Sequence, residues 1–298
     1  KQILEQFYQK TQGEITRSFL SHMIMRLERE QSVKEYLDIM DHRKTEQLID
    51  TLDKVEQNRK ECYIREFSIE HFHDSKVFET LIPKICKIFR EENEELTGFE
   101  NEEILAEYQI YKTPGYVYMK GNVQIYSAGK QAADISAFPE GIAVAVGSEE
   151  DVPDICPDQT IDKVFTIENL TSFYRFKQEH SLVIYLGGYH NRSRRNLLMQ
   201  IYQKLPDAQY YHFGDLDAGG FYILEHLKRK TGIPFQMFQM DIETLKKYED
   251  YAKPLTENDK KRLMQLEKME LPDEERKLIT YMLQKGIKLE QECISESQ

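Results

Sequence analysis

Three carboxylates stand where β-strands should end. Glu168 follows the apolar run Val164-Phe165-Thr166-Ile167, and Asp215 and Asp217 follow Gln209-Tyr210-Tyr211-His212-Phe213 and Gly214. In an open parallel sheet, ligands bind at the carboxyl ends of the strands, so the pattern sends all three acids to one edge. Like charges a few ångström apart repel by kcal-scale energies. A hard divalent cation with oxygen ligands relieves that repulsion, and Mg²⁺ is the usual one. Because Mg²⁺ keeps several waters and binds phosphate oxygens, the implied chemistry is at a phosphate. Read alone, Asp215-Leu216-Asp217 would also suit a chain turn and a helix cap before Gly219-Gly220. The preceding strand, the two glycines and the matching Glu168 favour the metal reading. Haloacid-dehalogenase-like phosphatases also place such a pair after a strand, but there a Thr or similar residue follows two positions on, where this chain has Gly219.

The elements around these acids alternate. Leu170 to Glu179 reads as a helix, Leu182-Val183-Ile184-Tyr185-Leu186 as a buried strand closed by Gly187-Gly188, and Asn191 to Leu205 as a helix. Phe221 to Lys230 reads as another helix and Phe235-Gln236-Met237-Phe238 as a fourth strand. Strand and helix alternating with short links predict a parallel, helix-covered sheet. Beyond Thr256-Glu257-Asn258-Asp259, a helix start, the chain reads as helical. Upstream, residues 1–58 read as helices throughout, with Ile15, Phe19, Met23 and Leu27 forming a stripe. Tyr63 to Ile69 alternates like a strand, and a helix from Lys76 to Arg90 follows, with Asp74 or Ser75 placed to cap it. The runs flanking Lys120-Gly121-Asn122 predict a hairpin or wing. Pro153 and Pro157 mark a boundary. The expected fold is thus α/β plus α: a helical arm over 1–58, a winged-helix-like α+β domain over 59–152, and a parallel-sheet domain over 160–298.

Composition narrows the classes. With 298 residues, 40% of them hydrophobic, 18 Tyr and 15 Phe, the chain can fill two cores. Its four cysteines, Cys62, Cys86, Cys156 and Cys293, lack disulfide-framework or zinc spacing, which predicts a reducing compartment. No apolar run approaches the roughly 18 residues of a membrane span. Lys1-Gln2-Ile3-Leu4-Glu5 does not read as a signal peptide, and a start without Met is expected of a piece of a longer chain. The expected location is cytoplasmic. The net charge of −12 argues against nucleic acid only if it is evenly spread. Residues 91–103 hold seven carboxylates and no base, whereas residues 181–235 hold seven Lys/Arg against four Asp/Glu.

Residues 163–240 resemble a Toprim domain, the metal-binding fold of topoisomerases, primases and some nucleases. The family's strand-end Glu matches Glu168 in FTIENL, and its acid pair matches Asp215 and Asp217 in HFGDLDAGG. REFSIEHFHDSK (Arg65 to Lys76), FTIENLTSF, VIYLGG, YYHFGDLDAGG and KLEQE (Lys288 to Glu292), in that order, resemble the family of the Wadjet-system nuclease subunit JetD. That family is related to the topoisomerase VI A subunit and to Spo-type proteins. The resemblance implies a Mg²⁺- or Mn²⁺-dependent endonuclease of plasmid defence, a homodimer acting on double-stranded DNA with condensin-like SMC partners. Relatives of the topoisomerase type attack with a tyrosine. No paired tyrosines with a preceding Arg-Asp occur between residues 60 and 130, and the JetD resemblance implies a hydrolytic nuclease without that tyrosine, with water as the nucleophile. A tyrosine strand transferase and a non-catalytic DNA-binding subunit are the alternatives. Glu292, with Glu290 beside it, is a candidate fourth ligand, or else part of a charged helix face. Arg192, Arg194, Arg195 and Lys76 are candidate DNA contacts, and His212 reads as a packed structural histidine, with orienting a carboxylate or touching DNA as the alternative.

Overall fold

The computed structural model describes residues 1–294 apart from 39, 97–98, 113–114, 128, 147–152, 189 and 191. The chain divides into two compact units, Lys1–Pro114 and Gly115–Gln298. The segments expected from sequence cut across this division, since 59–114 belongs with the first unit and 115–152 with the second.

In the first unit, helices α1 (Gln2–Lys10), α2 (Glu14–Glu28) and α3 (His42–Gln57) precede β1 (Cys62–Tyr63), α4 (Ile64–Phe72), α5 (Val77–Glu92), α6 (Asn101–Glu107) and β2 (Ile110–Tyr111). β1 and β2 pair in parallel. The orphan amides that begin α2 are answered by α3: Glu56 accepts from the Ile15 and Thr16 amides at 2.8 and 2.9 Å and from the Thr16 hydroxyl at 2.8 Å. Gly13 lets that carboxylate approach, because a Cβ there would lie 2.0 Å from Glu56 Oε2.

The strand expected at Tyr63 to Ile69 is a helix instead. Glu66 reaches back to accept the Tyr63 amide at 2.8 Å, and the Ser68 hydroxyl accepts the Phe78 amide at 3.1 Å. Phe67 meets the Phe78 ring at 4.5 Å between centroids. Helical capping and packing on α5 therefore outweigh the local alternation. Asp74 does accept the Lys76 amide, at 2.7 Å, ahead of α5.

The second unit contains β3 (Tyr116–Lys120), β4 (Val123–Ser127), β5 (Lys130–Asp134), β6 (Ile142–Ala145), β7 (Asp154–Pro157), β8 (Lys163–Ile167) and α7 (Leu170–Arg175). β9 (Ser181–Tyr185), α8 (Arg192–Lys204), β10 (Gln209–Phe213), α9 (Ala218–Thr231), β11 (Gln236–Met237) and α10 (Ile242–Lys247) follow. β12 (Lys253–Pro254), α11 (Glu257–Leu266), α12 (Asp273–Lys285) and β13 (Ile287–Lys288) complete it. Six strands form one sheet in the order β11-β10-β8-β9-β3-β6. β8, β9, β10 and β11 run parallel to one another, and β3 is antiparallel to both β9 and β6. Val164, Phe165, Thr166 and Ile167 are all buried, so both faces of β8 are covered.

β3 and β4 do not form a hairpin. β4 pairs with β5 and β7 in a separate three-stranded sheet. Lys120-Gly121-Asn122 hands the chain from one sheet to the other. Gly121 takes φ +139, and a Cβ there would lie 2.5 Å from the Ser181 carbonyl. Among the described residues no helix is long and apolar enough to cross a membrane.

Candidate metal centre

From β8 the chain crosses to β9 on one side, and then to β10 on the other side of β8. The connection thus reverses between β8 and β10, the place where open α/β sheets form a crevice at their carboxyl ends. Glu168 and Asp215 leave those two strands. The Glu168 amide donates to the Phe213 carbonyl at 3.1 Å, so pairing persists to the rim. Gly214 makes room between them, because a Cβ there would meet Glu168 Oε1 at 2.3 Å and His212 Nε2 at 2.9 Å.

A third wall comes from the chain after α12. Leu216 and Leu289 exchange backbone hydrogen bonds at 2.9 and 3.1 Å. Gln291, fully buried, then ties both strand ends together. Its amide donates to Asp215 Oδ1 at 2.7 Å, and its Nε2 donates to the Phe213 carbonyl at 2.9 Å. Its Oε1 accepts the Asn169 amide at 2.9 Å. Asn169 caps α7 by accepting the Ser172 amide at 2.9 Å, and its side-chain amide donates to Glu292. The result is a cavity of about 260 Å³ lined by Glu168, Asn169, Gly188, Asp215, Glu290 and Glu292.

Electrostatics single out Asp215. Burial pushes its carboxyl up, to about 7, and the charges of Glu168, Asp217 and Glu290 push the same way. The one opposing influence is the Gln291 amide. Glu168 is braced from below by His212, which is fully buried on β10. With Glu168 ionised, His212 Nε2 carries the proton and donates to Oε1 at 2.8 Å, while Nδ1 faces the Thr166 hydroxyl at 2.9 Å. Such a partner fixes a carboxylate in orientation, as the outer partners of metal ligands do.

The structure distributes the expected site residues unevenly. Glu168, Asp215 and Glu292 line the cavity. Asp217 caps α9, its Oδ1 accepting the Gly220 amide at 2.9 Å, and acts on Asp215 through its charge. Arg194 donates to the Leu186 carbonyl at 2.7 Å. Arg195 is only 8% exposed and donates to the His190 carbonyl at 2.8 Å, which leaves little of it to offer a phosphate. Arg192 opens α8, with its side chain outside the described residues. Lys76 is an exposed residue of the first unit, just before α5. Sequence reasoning missed Gln291 and Asn169 as organisers, and it preferred Glu292 over Glu290, although Glu290 also lines the cavity and acts directly on Asp215. It preferred packing for His212 over orienting a carboxylate, whereas the ring lies against Glu168 Oε1.

The donor set is all hard oxygen, and its charge is uncompensated at Asp215, which suits Mg²⁺ or Mn²⁺. Glu168, Asp215, Glu290 and Glu292 would hold such an ion, with Asp217 adjacent. Among the described residues no three His, Cys, Asp or Glu side chains are already gathered closely enough to hold one. Hydrogen bonds hold Glu168 to His212 and Asp215 to Gln291.

Residues 150–298 match the family model described as Wadjet protein JetD, C-terminal. Over 263 residues the chain is 28% identical to the Wadjet protein JetD of Bacillus cereus (strain Q1), covering 87% of this chain and 63% of that relative. The chain therefore spans less than two thirds of the relative's length. With the family model matching its C-terminal half, the chain belongs to the JetD family.

Proposed function

We propose that the chain is a metal-dependent DNA endonuclease of plasmid defence, with a Toprim-type centre at the β8/β10 crevice. The observation that carries this reading is Asp215, buried at a topological switch point with its carboxyl pushed up to about 7 beside three other acids. A bound Mg²⁺ or Mn²⁺ would lower the pKa of a water and offset charge developing on the phosphate. Glu168, held by His212, and Asp215, held by the Gln291 amide, keep their carboxylates oriented toward the cavity. Water then attacks phosphorus, its oxygen forming the new P–O bond while the bridging P–O bond to one sugar breaks and that sugar leaves as the alcohol. No covalent protein intermediate forms.

Double-stranded DNA, condensin-like SMC partners and a homodimer are what the family resemblance implies, and a cytoplasmic location is what the cysteine usage predicts. The helices α4 to α6, bracketed by β1 and β2, are the part of the first unit that suits a winged-helix-like DNA-binding role. The wing expected after Tyr116 is not theirs, since those strands belong to the second unit.

Supercoiled plasmid incubated with the purified chain and Mg²⁺ or Mn²⁺ tests the reading on a denaturing gel. Nicking or linearisation should appear with free ends and no protein–DNA adduct, and Glu168→Gln should remove it. Cutting that persists in Glu168→Gln would overturn the site, and a trapped adduct would overturn the water mechanism.

A further inference from the structure

We propose that a second cavity, beside the carboxylate cavity, holds an unpaired nucleotide of the DNA next to the point of cutting; this rests on the nuclease reading and deepens it. The cavity has a volume of about 670 Å³, within the range of sites that enclose a small ligand. Glu292 lines both cavities, so they are direct neighbours.

Its walls carry the groups that single-stranded nucleic acid requires. Tyr174, 41% exposed at the end of α7, offers an open ring for base stacking. It is held in place: buried Lys120 donates to the Tyr174 carbonyl at 3.3 Å and sits over the adjacent Phe173 ring at 4.9 Å. Arg175 and Lys177 flank it, exposed on the same lining. Backbone phosphates are held by such cations. Gln239 supplies the most telling feature. Its Oε1 is buried without a hydrogen-bond partner among the described residues, and its backbone takes φ +52. An unpartnered buried polar atom and a left-handed non-glycine both cost free energy, and such strain gathers at binding sites. The edge of a base supplies the missing donor. A base inside a duplex has both faces stacked and its pairing edge occupied, so it can use neither Tyr174 nor Gln239. An unpaired base can use both.

The test measures binding without cutting. In EDTA, fluorescence anisotropy compares a labelled duplex with the same duplex carrying a short central unpaired stretch. Wild type should bind the interrupted duplex more tightly. Tyr174→Ala should lose about tenfold on it, within the range for one stacked base, and change little on the intact duplex. Tyr174→Phe should keep the preference. Equal binding of both DNAs by wild type, a preference that survives in Tyr174→Ala, or no DNA binding at all would each overturn the proposal. Cleavage of supercoiled plasmid judges the nuclease reading separately: a binding preference without cutting sinks that reading and leaves the nucleotide site standing.

Discussion

Two carboxylates, one in each unit, show how burial separates structure from chemistry. Glu56 in the first unit is 9% exposed and accepts three hydrogen bonds from the start of α2. Asp215 in the second unit accepts one amide, from Gln291, and faces the charges of Glu168, Asp217 and Glu290. The first is an anion placed where a helix supplies donors. The second is a carboxylate placed among carboxylates, and the Gln291 amide offsets only part of what burial and those neighbours do to it. A buried acid whose needs are met holds helices together, whereas one whose needs are largely unmet is what the proposed cation would serve.

The largest expected effect follows from neutralising the crowded acid. Asp215→Asn should abolish metal-dependent cutting, a loss of more than a hundredfold, while raising the stability of the metal-free protein. The sign follows from proton binding. The folded-state pKa of about 7 lies above the ordinary value of 3.8, so the folded protein holds the proton longer than the unfolded chain. Stability is therefore lost as pH rises from about 4 to about 7, because the folded state binds more protons across that window. Thermal melts in EDTA should show the Asn variant gaining on wild type between pH 5 and pH 8, by on the order of 2 kcal/mol at the upper end. Equal melting differences at both pH values would mean that Asp215 is not destabilised by its burial among these carboxylates.

Glu56→Ala probes the other side. It leaves two amides and a hydroxyl of α2 without their acceptor and should cost about 3 kcal/mol in urea unfolding. The rate of cutting per folded molecule should not change. A loss of less than about 1 kcal/mol would show that water replaces the carboxylate and would weaken the contrast.

A smaller effect belongs to the brace. His212→Phe removes the donor to Glu168 and should weaken Mn²⁺ binding about tenfold, in the range for an outer partner of a metal ligand. Calorimetric titration of the metal alone reads this without requiring activity. Unchanged affinity would return His212 to a packing role.

The parallel sheet was legible because β8 is buried on both faces and so reads as a continuous apolar run before Glu168, with the aromatic-rich β10 leading through Gly214 to Asp215. Runs of that kind carry their own direction and boundary. The pair β3 and β4 was less so: Gly121 announces a change of direction, but no local residue says that β3 will join β9 while β4 joins β7. Tyr63 to Ile69 failed for a different reason, since seven residues fit either period and the decision lies in Glu66 and in packing on Phe78. At the site, Glu168 and Asp215 were visible as strand ends. Gln291 was not, because nothing about a glutamine between two glutamates signals that it bonds residues 76 and 122 positions away.

That late arrival of Gln291 has a consequence for synthesis. The ribosome delivers β8 and β10 well before residues 289 to 291, which bridge Leu216 and fasten both strand ends. A nascent chain can fold its parallel strands and still lack the third wall of the crevice. The crevice is completed only when the last of its parts emerges, so the order of translation itself keeps a half-made chain from presenting the proposed centre in finished form.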